Sequence, residues 1–127
     1  MTLSLSRPWR IALAVLAGVL ACGLPLWPIP YSHVSMPGNP SLTTWLLGGA
    51  CAGLLAGILV RPGVLTPTLA VAAGFVLAVL ARVAVETSRD PTSHNLWPFE
   101  VVIAGGIGLI AGLAGVLTTR LVQRLRG

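Results

Sequence analysis

Four apolar stretches, each long enough to cross a lipid bilayer as a helix, dominate this sequence. They run approximately over Trp9–Trp27, Leu42–Val60, Val64–Val85 and Val101–Leu117, with the last extended by its flanks to 98–119. Crossing the hydrocarbon core as a helix takes about 20 mainly apolar residues. Lipid cannot satisfy exposed peptide groups, so segments of this length are predicted to be helices. The sequence therefore predicts an all-α membrane protein, with one four-helix transmembrane domain over residues 1–127.

The composition excludes a water-soluble domain of ordinary kind. Hydrophobic residues make up 55% of the chain, charged residues 9%, and the mean hydropathy is +0.90. A typical soluble domain is about 25% charged. The pI of about 11.2 would suggest nucleic acid as a partner of a soluble protein. Here the positive charges lie at helix ends, which favours the lipid bilayer as the partner and argues against nucleic acid.

The charges are distributed unequally between the two sides of the predicted bundle. Six of the eight arginines share one side: Arg7, Arg10, Arg61, Arg120, Arg124 and Arg126. The other side carries the remaining two arginines and all three acidic residues. By the positive-inside rule both termini are predicted to be cytoplasmic. Arginine as the only basic residue except histidine, with abundant small apolar residues, suggests a bacterial protein, so the predicted location is the inner membrane.

Residues near the helix ends give further expectations. The connection at Arg61–Leu65 is only a tight turn, so helices 2 and 3 are expected to be antiparallel neighbours. Trp27 and Trp45 lie near predicted interfaces, where amphipathic rings are preferred. The residues after helix 4, including Arg120 and Arg124, are expected to extend that helix beyond the membrane.

Cys22 allows an alternative interpretation of the N-terminus. Arg7 and Arg10 precede an apolar run that ends at Cys22, which loosely fits a lipoprotein signal with a lipidated cysteine. The residues that follow Cys22 remain apolar, whereas a processed lipoprotein normally begins with a polar tether. Free cysteine as a small packing residue is therefore the ordinary interpretation of Cys22 and Cys51.

Small residues recur at every fourth position of the helices. The glycines that carry this pattern are Gly49, Gly53, Gly57, Gly74, Gly108 and Gly112. Spacing of four places small residues on one helix face, where the missing side chains let backbones approach closely. The pattern predicts tight helix packing. Packing within one chain and packing between chains remain alternatives at this point.

A short internal similarity suggests that two hairpins arose by duplication. Residues 30–33 and 91–94 share the form Pro-x-Ser-His and contain the two histidines of the chain. Each segment follows an odd-numbered helix in an outer loop. Two hairpins of the same orientation would be related by an axis along the membrane normal, as in parallel-repeat membrane proteins. Chance similarity is the alternative.

The outer side of the predicted bundle carries a polar cluster. Its members are His33, Arg82, Glu86, Arg89, Asp90, His94 and Glu100. Arg82 lies short of the membrane boundary, so it is expected to extend outward or to pair with a nearby carboxylate from Glu86, Asp90 or Glu100. One hypothesis is a site for a ligand or a protein partner, and the alternative is a structural clasp between a loop and helices 3 and 4. The ligand spacing of a metal site is absent, so no metal is predicted.

The helix interiors limit the function classes. Between residues 10 and 25, 44 and 61, 68 and 82, and 100 and 118, the sequence has no charged, amide or hydroxyl side chain. Coupled transporters usually place such groups near the bilayer midplane. No nucleophile with an activating base is evident, so neither an enzyme nor a cofactor is predicted. We expect a non-catalytic accessory or assembly subunit, or a homo-oligomer, with self-association or partner binding through the Gly/Ala faces. The alternative is a small channel or transporter formed by oligomerisation.

Overall fold

Four helices account for nearly all of the described chain. The structure is a computed structural model that describes residues 6–27, 42–61, 63–89 and 97–126. The helices are α1 (Arg7–Leu26), α2 (Leu42–Leu59), α3 (Leu65–Arg89) and α4 (Trp97–Arg126). Each contains a segment long and apolar enough to cross a membrane. The all-helical fold with four candidate membrane spans, predicted from the apolar stretches, is confirmed.

Prolines lie near the end of α1 and the start of α3, and a polar segment forms the end of α4. Pro25 lies within the last turn of α1, where it has no N–H to donate to the preceding turn, and the Trp27 N–H donates to the Gly23 carbonyl at 2.7 Å. α3 begins at Leu65, so Pro67 lies in its first turn, where a proline is tolerated. α4 continues to Arg126, which is the helical extension expected after the last apolar stretch.

The order of helices around the bundle is α1, α3, α4, α2. α1 packs mainly on α3 and α2 mainly on α4, while α2 and α3 lie across a diagonal and contact each other much less. Helices 2 and 3 run antiparallel, but the expectation that they are neighbours in the bundle is therefore wrong. The turn between them, with Gly63 at a φ of 99°, connects their ends without making them adjacent along their length. The neighbours of each helix are decided by the glycine contacts along its length.

α1 and α3 run parallel and touch through their backbones. A Cβ added to Gly18 would lie 3.1 Å from the Cα of Gly74, and a Cβ on Gly74 would clash with the Val15 carbonyl oxygen. Such close approach is open only to residues without side-chain bulk. The glycines therefore determine where these two helices cross.

α2 and α4 form the second parallel pair. A Cβ on Gly53 would collide with the Gly112 backbone, and one on Gly115 would collide with the backbone of Ala50. Nearer the end of α2, a Cβ on Gly57 would lie 2.9 Å from the Cβ of Thr119. This face of α2 is therefore covered by α4 of the same chain.

Two aromatic rings fill the centre between the pairs. Phe75 of α3 is fully buried and meets Trp45 of α2 edge-on, with ring centroids 6.4 Å apart. Phe75 occupies the space left by glycines on the facing helices: a Cβ on Gly108 would lie 2.7 Å from its ring, and a Cβ on Gly49 would lie 3.2 Å away. Large residues on some helices therefore complement small ones on others.

The predicted duplication concerns the hairpin of α1 with α2 and the hairpin of α3 with α4. Residues 30–33 and 91–94 lie outside the described residues. The duplication stays a prediction made from those two segments of sequence.

We predict that Gly53→Ala lowers the free energy of unfolding by about 1–3 kcal/mol, because the new methyl group overpacks the α2–α4 contact. Gly106→Ala is the matched control: a Cβ there meets nothing within 4 Å. Unfolding of both variants in mixed micelles, titrated with denaturing detergent, measures the difference. Equal stability of the two variants would contradict the internal packing of Gly53.

Candidate functional site

Polar groups of the described residues gather at the two ends of the bundle. We call one the arginine-rich end, defined by Arg7, Arg10, Arg61 and Arg120. We call the other the Arg82 end, which also includes Glu100 in the first turn of α4. Between them the buried side chains are apolar, and the buried polar residues described are Thr68, Arg82 and Thr119. Each candidate site therefore lies at an end.

Arg82 ties α3 to the end of α1. Its side chain is 8% exposed, and its Nη1 donates to the carbonyl oxygen of Leu26. The last carbonyls of a helix lack partners within the helix and carry the negative end of its dipole, so a guanidinium is well suited to them. From the sequence, the Arg82 side chain was expected to extend outward or to pair with a carboxylate. The Leu26 carbonyl could not be predicted as its acceptor, because every residue has a backbone carbonyl and residue type does not show which one accepts.

Two tryptophans add hydrogen bonds at the same end. The Nε1 of Trp27 donates to the Ala78 carbonyl at 3.1 Å, and the Nε1 of Trp45 donates to the Cys22 carbonyl at 3.3 Å. Trp45 is fully buried. Its ring is therefore a packing group inside the bundle, and its expected position near a membrane interface stays a prediction. These bonds join α1 to both α3 and α2.

Only part of the predicted polar cluster falls within the described structure. Arg82 is buried and Glu100 is half-buried, with its carboxylate at the positive end of the α4 dipole. Glu86 and Arg89 belong to α3, but their side chains are not described. The remaining members, His33, Asp90 and His94, lie outside the described residues. Convergence of these seven residues therefore stays a prediction. Within the described residues, no group of three or more His, Cys, Asp or Glu could hold a metal ion.

Arg120 holds the other end of the bundle together. Its guanidinium donates to the carbonyl oxygens of Gly57 at 2.6 Å, Val60 at 2.7 Å and Gly63 at 2.6 Å, and also to Oε1 of Gln123 at 3.0 Å. Gly57 belongs to the last turn of α2, and Val60 and Gly63 to the turn that follows. A single side chain of α4 therefore satisfies both the helix end and the turn.

A polar cavity lies beside the backbone that Arg120 binds. It has a volume of about 120 Å³ and is lined by Arg7, Arg10, Leu59, Val60 and Arg61. Nη1 of Arg7 donates to the backbone carbonyl of Arg61 at 2.9 Å, which joins the start of α1 to the residue after α2. The cavity is therefore lined by three arginines, two from the start of α1 and one that follows α2.

The two cysteines are free thiols in different surroundings. Cys22 is fully enclosed within the uninterrupted helix α1, whereas Cys51 is exposed on α2. Enclosure among neighbouring helices is the environment of a small packing residue, the ordinary interpretation of Cys22. Lipidation of this thiol would require its removal from the packed interior.

The predicted packing glycines all lie against other helices of the same chain. The contacts that an added Cβ would meet come from α3 or α4 for Gly49, from α4 for Gly53 and Gly57, from α1 for Gly74, and from α3 for Gly108 and Gly112. No protein-family model, curated protein or solved structure matches this chain. The function is therefore inferred from these residues and their placement.

We predict that Arg82→Gln lowers the free energy of unfolding by about 2 kcal/mol, because it removes a charge-assisted hydrogen bond to a buried helix end. Arg124→Gln, which removes a charge from an exposed position of α4, is the control and should change stability by less than about 0.5 kcal/mol. Detergent-induced unfolding followed by helical circular dichroism compares them. Equal effects would show that the Leu26 contact contributes nothing.

We predict that Arg120→Lys is also destabilising, by about 1–2 kcal/mol, although it keeps the charge. An ammonium group cannot reproduce the planar fork that reaches several carbonyls at once. The same unfolding assay applies, with Arg124→Lys as the matched exposed substitution. A wild-type midpoint for Arg120→Lys would mean that charge alone is needed at this position.

Proposed function

We propose that this chain is a non-catalytic accessory or assembly subunit of a membrane complex, which it joins as a folded four-helix unit. One observation carries the proposal: the described helices fill one another's small-residue faces, and the middle of the bundle is lined by apolar side chains. A coupled transporter would be expected to have ionisable groups or broken helices at that depth. Such an interior best supports a role in which the lipid-facing surface of the bundle binds a partner.

The surface open to a partner is the outward row of α4. Val102, Ile110 and Leu117 are exposed by 72%, 66% and 49%. Gly106 lies in the same row, and nothing of this chain lies within 4 Å of a Cβ added there. Helix association in lipid relies on close packing at small residues. A partner helix would therefore approach α4 at Gly106, and the other glycines would serve the fold of this chain.

In this proposal the arginine-rich end faces the cytoplasm, following the positive-inside rule. The Arg82 end and the outer loops would then face the opposite side of a bacterial inner membrane. The polar residues of those loops, including His33 and His94, would contribute to partner recognition there. Association through α4 and recognition by the loops would act together.

Native mass spectrometry of the protein extracted gently from its own membrane tests the proposal. We predict a reproducible heterologous subunit, whose association falls at least about tenfold in Gly106→Leu, because the larger side chain blocks close helix approach. Thermal unfolding should be unchanged, since that side chain would point away from the bundle.

The control is Leu109→Ile, a volume-conserving change at an exposed position of α4. A protein recovered only as a monomer would contradict the proposal. A homo-oligomer with no other protein would instead favour a channel or transporter, for which flux into liposomes holding the purified protein would be the deciding assay.

A further inference from the structure

We propose that the cavity at the arginine-rich end binds the phosphate group of an anionic membrane lipid. The cavity of about 120 Å³ brings together Arg7, Arg10 and Arg61 from the start of α1 and from the residue after α2. Guanidinium groups bind phosphate oxygens through paired, charge-assisted hydrogen bonds. Three arginines lining one cavity are an arrangement that the accessory role does not require.

The geometry holds part of this site in place before any ligand arrives. The Arg7 side chain is fixed to the backbone carbonyl of Arg61 by a 2.9 Å hydrogen bond. Arg120 donates to Val60 and Gly63, on either side of Arg61. The backbone that carries Arg61 is therefore held by both neighbouring helices. Such preorganisation reduces the entropy lost on binding.

The charge around the cavity is positive, and no carboxylate side chain is among the described residues that line it. The sequence contains no Asp or Glu in residues 1–85 or 101–127, the segments that supply this lining. The first turn of α1 adds to the field. Ser6 at its N-cap makes no side-chain hydrogen bond to the free N–H groups, which mark the positive end of the helix dipole. An anion is the ligand that such an environment stabilises.

The surroundings favour a lipid as the source of the phosphate. Leu59 and Val60 form the apolar part of the cavity wall. Leu55, one turn earlier on α2, and Ile58 are exposed by 46% and 59% on a helix of membrane-spanning length. A lipid can place its phosphate among the arginines and its acyl chains along these side chains. Basic pockets at the ends of membrane helices bind anionic headgroups in this way.

Native mass spectrometry with added phosphatidylglycerol tests the site. The wild-type protein should retain one tightly bound phosphatidylglycerol and no phosphatidylcholine at the same concentration. Arg10→Gln and Arg61→Gln should each weaken this binding about tenfold, the loss expected when a charge-assisted hydrogen-bonding group is removed. The matched control, Arg124→Gln, removes an equal charge from an exposed position outside the cavity and should weaken binding less than about twofold.

Three results would overturn the inference. Equal weakening by Arg124→Gln and Arg61→Gln would show attraction to net charge alone. Unchanged binding in both cavity variants would remove the site. Displacement of phosphatidylglycerol by inorganic phosphate at equal concentration would assign the cavity to free phosphate and overturn the lipid as its source. Thermal unfolding of each variant establishes that it is folded, and Arg61→Lys, which keeps the charge but lacks the fork, should bind with intermediate affinity.

Discussion

Close backbone contact between helices is the constraint on which this structure depends. Lipid tails are as apolar as leucine, so helices in a bilayer gain little from hydrophobic burial and must gain from packing. Here two parallel pairs meet through glycine, at Gly18 with Gly74 and at Gly53 with Gly112. Phe75 fills the space between the pairs. The order of helices around the bundle follows from these contacts more than from the length of the connections.

The bundle ends are held by cationic and indole donors on backbone carbonyls. Arg82 and Trp45 bond to the last turns of α1, and Arg120 bonds to the last turn of α2 and to the turn beyond it. Each donor belongs to a different helix from its acceptor, so one contact satisfies a helix end and joins two elements. The arginines of this chain therefore secure the fold, and in our lipid proposal those around the cavity also bind an anion.

The sequence predicted the helices well and their arrangement poorly. Span length and apolar composition suffice for the four helices, because lipid leaves no other way to satisfy the backbone. The neighbours of α2 could not be predicted from the short turn, since a turn constrains only helix ends. The Leu26 and Gly57 carbonyls could not be predicted as the acceptors of Arg82 and Arg120, because every residue has a backbone carbonyl. The cavity at Arg61 needed the structure, since charge counting places arginines on one side but not around one space. The seven-residue outer cluster stays a prediction, with His33, Asp90 and His94 outside the described residues.

Disulfide formation between α2 and α4 tests most directly whether the small-residue faces pack within one chain. A Cβ on Gly57 would lie 2.9 Å from the Cβ of Thr119, a small adjustment from the ~3.5–4.5 Å of a disulfide. In a Cys22→Ala, Cys51→Ala background, Gly57→Cys with Thr119→Cys is oxidised in native membranes and then treated with maleimide. We predict a monomer in which both thiols are protected from labelling. Covalent dimers without protected monomer, or thiols that stay reactive, would contradict it.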